Sequence, residues 1–440
     1  MLDWPPLGTI TDCPPSRFSG SRGSSYIEES IELTTTAPAI ASQAGRRISP
    51  PHRLQGSVSR FVRLALAGMA LTLATAGCFG GGAPAVKSSP SPTPSVAATT
   101  AAVVPPPFTA TGSLSPRYFH TATTLQDGRV LVAGGCCNGA NGLSTAVLYN
   151  PLTGVFTATG NMTTARYRQT ATLLKDGRVL IAGGFGASGA LSSAEVYDPT
   201  SGTFTATGSM STPRIDHTAT LLSDGKVLIA GGTVSTKPLD TAEIYNPATG
   251  TFSRAANAMT TPRAAFTATL LNNGQVLLAG GSQGLKNPAV YAELYNPADG
   301  TFKRTGKLAT ERMDQTATLL PNGTVLIAGG RVLGLTNLDA AEIYDPATGK
   351  FTNTGTMTFA RFDHTATLLQ SGRVLLTGGS PGLDSAEIYD PATGKFTKTA
   401  GPMIVGRFRH TASLLQDGEV LIVGGTGSPG SAGRAELYRP

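Results

Sequence analysis

Seven times along the chain, a run in which polar and apolar residues largely alternate is followed by one that is apolar throughout. The alternating runs are HTATTL, QTATLL, HTATLL, FTATLL, QTATLL, HTATLL and HTASLL, and an arginine stands three positions before the first residue of each. Alternation with a period of two predicts a strand with one face turned to a core. The apolar runs, VLVA, VLIA, VLIA, VLLA, VLIA, VLLT and VLIV, predict strands buried on both faces. Each ends in a Gly-Gly pair, beginning at Gly134, Gly183, Gly231, Gly280, Gly329, Gly378 and Gly424, so the period is 46 to 49 residues. That spacing predicts an array of four-stranded units.

The punctuation agrees. Between the first two runs stand pairs such as Asp127-Gly128 and Asn322-Gly323, read as two-residue hairpin turns with both central residues at positive φ. A loop of variable length follows each Gly-Gly, then third strands of the AEVYDP type (residues 194–199 and 341–346 are examples). A PATG or PTSG turn leads into the fourth strand, FTATG or FTNTG.

The Gly-Gly pair followed by a tyrosine and an aromatic residue seven positions on resembles the kelch repeat. The pairs are Tyr149/Phe156, Tyr197/Phe204, Tyr245/Phe252, Tyr295/Phe302, Tyr344/Phe351 and Tyr389/Phe396, with Phe where kelch units usually carry Trp. WD-type propellers are excluded because Trp4, far upstream, is the single tryptophan. The array opens with a lone fourth strand at 108–112 and closes after a third strand at 436–438. The resemblance therefore implies an all-β fold: a seven-bladed kelch-type propeller over 108–440, closed by the 108–112 strand in the last blade.

Residues 1–57 carry no period and are expected to be disordered, or to precede the true start near Val58. Arg60 and Arg63, the apolar run 64–76 and a small-residue boundary then predict a secretory signal over 58–78. LATAGC, ending at Cys78, resembles a bacterial lipobox, with Thr75 where that family usually has a Leu-like residue. The resemblance implies lipidation of Cys78 and attachment to the membrane through the lipid, with the protein exported to the envelope or secreted. The Pro-, Ser- and Thr-rich stretch 79–107 reads as an extended tether.

Charge narrows the partners. Lys plus Arg exceed Asp plus Glu by 34 − 27 = 7, and 8 − 5 = 3 of that excess lies before residue 108. The remaining excess of four is spread over the array, which argues against nucleic acid. The loops after Gly-Gly vary while the DG and PATG turns repeat, so the face carrying those loops is the candidate binding face. Its candidate residues are Arg117, Cys136, Cys137, Lys237, Lys286 and Arg331.

Two repeated charges compete for a reading. The arginines Arg117, Arg166, Arg214, Arg263, Arg312, Arg361 and Arg407 form either a ring attracting an anion or one half of buried pairs with Glu195, Glu243, Glu293, Glu342, Glu387 and Glu436. The pairs are favoured, because both residues recur with the frame. Blade one departs, with Val147 at the glutamate position and Cys136-Cys137 after its Gly-Gly. Asp216-His217, Asp363-His364, His120 and His410 suggest metal or acid–base chemistry, but other blades place Gln169, Gln315 and Phe266 where the histidines stand, which favours packing.

Three functions remain open: a non-catalytic module binding a glycan or an envelope protein, an enzyme, and a structural subunit. Galactose oxidase is similar in its kelch propeller, but its adjacent Tyr-His copper ligands have no counterpart here, since no Tyr precedes a His. A sialic-acid-epimerase-like activity maps onto no motif. The binding module is the expectation, as a monomer, with no catalytic residue, metal or cofactor assigned.

Overall fold

The computed structural model describes residues 106–136, 142–284, 288–332 and 336–440. The signal segment, Cys78, nearly all of the tether, Cys137 and Lys286 lie outside these residues. Seven four-stranded antiparallel sheets form the described body. Their inner strands are Thr121–Thr124, Thr170–Leu173, Thr218–Leu221, Thr267–Leu270, Thr316–Leu319, Thr365–Leu368 and Thr411–Leu414. Each packs against the inner strands of the blades before and after it, and the seventh meets the first. The result is a closed seven-bladed β-propeller.

Closure comes from the two ends of the array. Phe108–Ser113 is the outer strand of blade seven, paired with Arg434–Tyr438. Phe108 lies opposite Tyr438 with ring centroids 5.0 Å apart, a seventh copy of the Tyr–Phe pair that the other blades make at 4.8 to 4.9 Å. Each of those six pairs also sits directly opposite in register, as in Tyr197 with Phe204.

The core lies between blades, and this explains the uniformly apolar second strands. In Val130–Ala133, Leu131 and Ala133 join Val179, Ile181 and Tyr197 of blade two. Val130 and Val132 of the same strand join Leu415, Leu421 and Val423 of blade seven. One strand therefore feeds two cores, and neither face can be polar. The Tyr197 hydroxyl adds a hydrogen bond across the same interface, to Thr159 at 2.9 Å. Truncating one of these buried side chains to Ala removes about 2–5 kcal/mol.

Gly-Gly is needed for blade-to-blade contact. Both glycines of each pair have positive φ, and the Gly135 amide donates to the Arg166 carbonyl of the next blade at 3.0 Å. A Cβ on Gly183 would lie 2.7 Å from the Arg214 carbonyl oxygen, so a larger residue would force the blades apart.

The first hairpin differs from its expected form. Only the glycine of each Asp-Gly or Asn-Gly pair has positive φ, as in Gly128 at 86°. The Gly128 amide donates to the Leu125 carbonyl at 3.0 Å and the Leu125 amide to the Arg129 carbonyl at 2.8 Å. The loop is thus three residues, 126–128, with glycine at the left-handed bulge position. Asp127 stays right-handed because its carboxylate accepts the Arg129 amide at 3.0 Å, fixing the turn from inside.

Among the described residues, no helix is long and apolar enough to cross a membrane.

Candidate functional site: an axial ring on the loop face

The seven repeated arginines are structural. All are 0% exposed. Arg312 is representative: it donates to the Gly329 carbonyl at 2.8 Å, the Ala340 carbonyl at 2.9 Å and the Glu342 carboxylate at 2.6 Å. The second oxygen of Glu342 accepts the Ala309 amide at 2.8 Å. Pairs of this kind join Arg166 to Glu195, Arg214 to Glu243, Arg263 to Glu293, Arg361 to Glu387 and Arg407 to Glu436. The glutamates are also buried, so no cationic ring faces the channel. The pairing that the sequence favours is the one found. In blade one, Arg117 meets neutral acceptors: the carbonyls of Ser115, Gly134 and Thr145 and the Thr145 hydroxyl, at 3.2 to 3.3 Å.

Three positions after each arginine lies a second structural ring. His120, His217, His364 and His410 are 6% exposed, and each Nε2 meets a threonine hydroxyl of the preceding blade at 2.9 to 3.1 Å. Gln169 and Gln315 reach the preceding blade by donating to the Ala133 and Ala279 carbonyls. Phe266 fills the equivalent space against Gly231. Burial, aided by nearby arginines, holds His120, His217 and His364 at about 3, and His410 well below its ordinary value, so the imidazoles are neutral.

Between these two buried rings, two positions after each arginine, stands a third that is unlike them. Its members are Phe119, Arg168, Asp216, Ala265, Asp314, Asp363 and Arg409, all partly exposed. Each has φ between 52° and 57°, and they are seven of the eight non-glycine residues with positive φ among those described. Around the axis the backbone is stitched from blade to blade: Arg168 N–H to Phe119 O, Ala265 to Asp216, Asp314 to Ala265, Asp363 to Asp314, Arg409 to Asp363 and Phe119 to Arg409, at 3.0 to 3.3 Å.

A left-handed conformation favours glycine, and holding other residues there costs on the order of 1–3 kcal/mol each. The chain has 54 glycines, yet none occupies this ring. Side chains are retained here against the backbone's preference.

Those side chains divide the mouth of the channel into two sectors. On blades seven, one and two, the guanidinium carbons of Arg168 and Arg409 lie 4.2 and 4.4 Å from the Phe119 ring centroid. Phe119 continues into Tyr118, Tyr167 and Phe185, with successive centroids 5.4 to 6.4 Å apart. On blades three, five and six stand the carboxylates of Asp216, Asp314 and Asp363. Each carboxylate meets a guanidinium: Asp216 with Arg168 at 2.7 Å, Asp314 with Arg331 at 2.7 Å and Asp363 with Arg409 at 3.0 Å. Burial drives the Asp314 carboxyl up to about 7, and neighbouring Asp363 adds to the rise while Arg331 opposes it.

Of the residues nominated from sequence, Arg331 joins this ring through its pair with Asp314; it is itself only 7% exposed and lies over the Phe362 ring at 4.6 Å. Lys237 is exposed on a short hairpin, Thr233–Val234 with Lys237–Pro238. Arg117 and Cys136 are buried, Arg117 against carbonyls and Cys136 bridged to Tyr118, so neither offers a side chain to the face. Asp216 and Asp363 do reach the mouth, but their histidine neighbours point into blade interfaces. Phe119, Arg168, Asp314 and Arg409 were missed. The available signal was variation at the second position after each arginine, between two nearly constant ones.

Comparison with known proteins supports the fold. Residues 166–211 and 217–259 match the Kelch motif. No curated protein matches the chain. Among solved structures, the chain is similar to a "novel fungal alcohol oxidase with catalytic diversity among the AA5 family, in complex with copper". That likeness has 20% identity and a TM-score of 0.62, covering 76% of this chain and 75% of the other. YjhT is similar at 13% identity and a TM-score of 0.52, over 64% of this chain and 97% of its own.

A copper centre does not fit this mouth. Its axial side chains are one Phe, one Ala, two Arg and three Asp, and the histidines beneath hold threonines of adjacent blades. Among the described residues, no three His, Cys, Asp or Glu side chains are grouped to hold a metal. Seven Gly-Gly frames, seven Tyr–Phe pairs and the closed ring of sheets make this chain a kelch-repeat, seven-bladed β-propeller.

Proposed function

We propose that the protein is a binding module that takes a terminal sugar of a glycan in the axial mouth of its loop face. The observation that carries this reading is the ring of seven non-glycine residues held at positive φ, whose varied side chains converge on one opening. Their chemistry suits a sugar. The partly exposed rings of Phe119 and Tyr167, their centroids 6.4 Å apart, offer a surface for the C–H face of a pyranose. Paired carboxylates and guanidiniums offer acceptors and donors side by side, the pattern that vicinal hydroxyls need. The mouth has three Asp against Arg168, Arg331 and Arg409, so their formal charges balance.

Isothermal titration against methyl glycosides tests the proposal. Binding by the wild-type protein that is lost in Phe119→Ala supports it; equal binding by both moves the site elsewhere. Display on the envelope through a lipid on Cys78 belongs to the same proposal, motivated by the lipobox resemblance. Incorporation of labelled fatty acid that Cys78→Ser fails to abolish would remove that part.

A further inference from the structure

We infer that acid opens this propeller at one place, the sector of blades six, seven and one around the joint between the chain ends, before the other blades separate. The inference concerns the frame and holds whatever the mouth binds.

The position three residues after each buried arginine helps join one blade to the blade before it. Histidine fills it in blades one, three, six and seven, glutamine in blades two and five, and phenylalanine in blade four. Three of the four histidines therefore serve consecutive interfaces. His364 Nε2 meets the Thr316 hydroxyl of blade five at 3.1 Å. His410 Nε2 meets the Thr365 and Thr377 hydroxyls of blade six, each at 3.1 Å, and His120 Nε2 the Thr411 hydroxyl of blade seven at 2.9 Å. Because Thr365 follows His364 in the chain and Thr411 follows His410, these contacts form one unbroken run from blade five to blade one. His217 stands apart, with Gln169 and Phe266 in the blades on either side.

This run has no place for an added proton. The Nδ1 atoms of His120, His364 and His410 are buried without a hydrogen-bond partner among the described residues. The charged groups acting on them are cations: Arg117 and Arg407 at His120, Arg361 at His364, and Arg407, Arg361, His364 and His120 at His410. Nearby carboxylates are already engaged, Glu387 with Arg361, Glu436 with Arg407 and Asp363 with Arg409. A proton on any of these imidazoles is thus a buried charge beside like charges, and opening the interface to water relieves it. An imidazole kept neutral when packed, and titrating at about 6.5 once exposed, favours opening as pH falls below that value, by up to about tenfold per pH unit. Three in one sector compound to about a thousandfold, against about tenfold for the lone His217. The same sector holds the joint between the chain ends, where Phe108–Ser113 completes blade seven and shifts register between Ala110 and Ser113. Phe119, Asp363 and Arg409 of the axial ring stand on these three blades, so opening there also takes the mouth apart.

Hydrogen exchange read by mass spectrometry on the full chain, from about pH 7 to about pH 4 and corrected for the intrinsic effect of pH, tests the inference. Between about pH 7 and about pH 5, exchange in Phe108–Ser113, Thr121–Thr124, Thr365–Leu368 and Thr411–Leu414 is expected to rise at least about tenfold more than in Thr218–Leu221 and Thr267–Leu270. His410→Gln, which installs the residue of blades two and five, is expected to slow sector exchange at about pH 5 by about tenfold, as is His120→Gln. His217→Gln is expected to leave sector exchange unchanged. Loss of protection in all seven blades together, or first in blades three and four, overturns the inference. So does sector exchange that neither His410→Gln nor His120→Gln slows. The order of opening in the wild type decides the matter where a variant fails to fold.

Discussion

Two rings of seven residues lie only two positions apart in sequence and have opposite characters. The ring from Arg117 to Arg407 is one residue type, fully buried, spending its donors on carbonyls and glutamates. The ring from Phe119 to Arg409 is four residue types, partly exposed, held in a conformation that disfavours most of them. The difference shows how a repeat protein separates its tasks. What every blade needs is repeated identically and hidden; what a ligand needs is varied and placed where blades converge.

The strongest way to break this comparison is to damage the buried ring. Glu342→Ala leaves Arg312 charged and buried without its carboxylate and is expected to lower stability by about 3–5 kcal/mol in denaturant unfolding. Asp363→Asn removes a partner from a more exposed pair, and the same experiment should read about 1 kcal/mol or less. Similar losses in the two variants would mean that the axial ring is also frame.

Acid tests the histidine ring. His120, His217 and His364 titrate at about 3 in the folded protein, below their unfolded value, so the unfolded chain binds more protons between these limits. Stability should therefore be lost as pH falls below about 6.5, with a slope approaching about 1.4 kcal/mol per pH unit for each histidine. Replacing His217 with Gln, the residue that blades two and five use, should flatten the slope by one histidine's share. An unchanged slope would show that this imidazole is not held neutral.

On binding, Phe119→Ala is expected to weaken glycoside affinity about tenfold, equivalent to about 1.4 kcal/mol, through loss of the aromatic platform. Ala265 already occupies the same backbone conformation in blade four, so the substitution is compatible with the fold. A further stability test is Asp314→Asn. Because the folded carboxyl titrates above its unfolded value, ionised Asp314 lowers stability as pH rises from about 4 to about 7. The Asn variant should be at least as stable as wild type above neutrality; a clear loss in thermal unfolding would contradict this.

The fold was legible because its signals are repeated and physical. Gly-Gly, the Tyr–Phe spacing and the stray strand at 108–112 each reported a contact that the structure contains, including the seventh pair, Phe108 with Tyr438. The Arg–Glu pairing was legible for the same reason: both residues recur with the frame. The three-residue turn was not, because Asp-Gly fits both hairpin types and only the Asp127–Arg129 hydrogen bond selects one. The axial ring was hidden by its own variation. Phe119, Asp314 and Arg409 share no residue type, and their common backbone conformation leaves no mark in sequence. Arg331 joins the ring from a variable loop through its pair with Asp314, whereas Arg117 drew notice for a missing glutamate that carbonyls and Thr145 replace.

The most direct measurement is a paired one on Phe119→Ala: the dissociation constant for methyl β-glucoside and the midpoint of thermal unfolding, each against wild type. Separate rings for frame and ligand predict about tenfold weaker binding with a midpoint shifted by no more than a few degrees. Unchanged affinity, or weaker binding accompanied by a large fall in the midpoint, would contradict the assignment of the axial ring to a ligand.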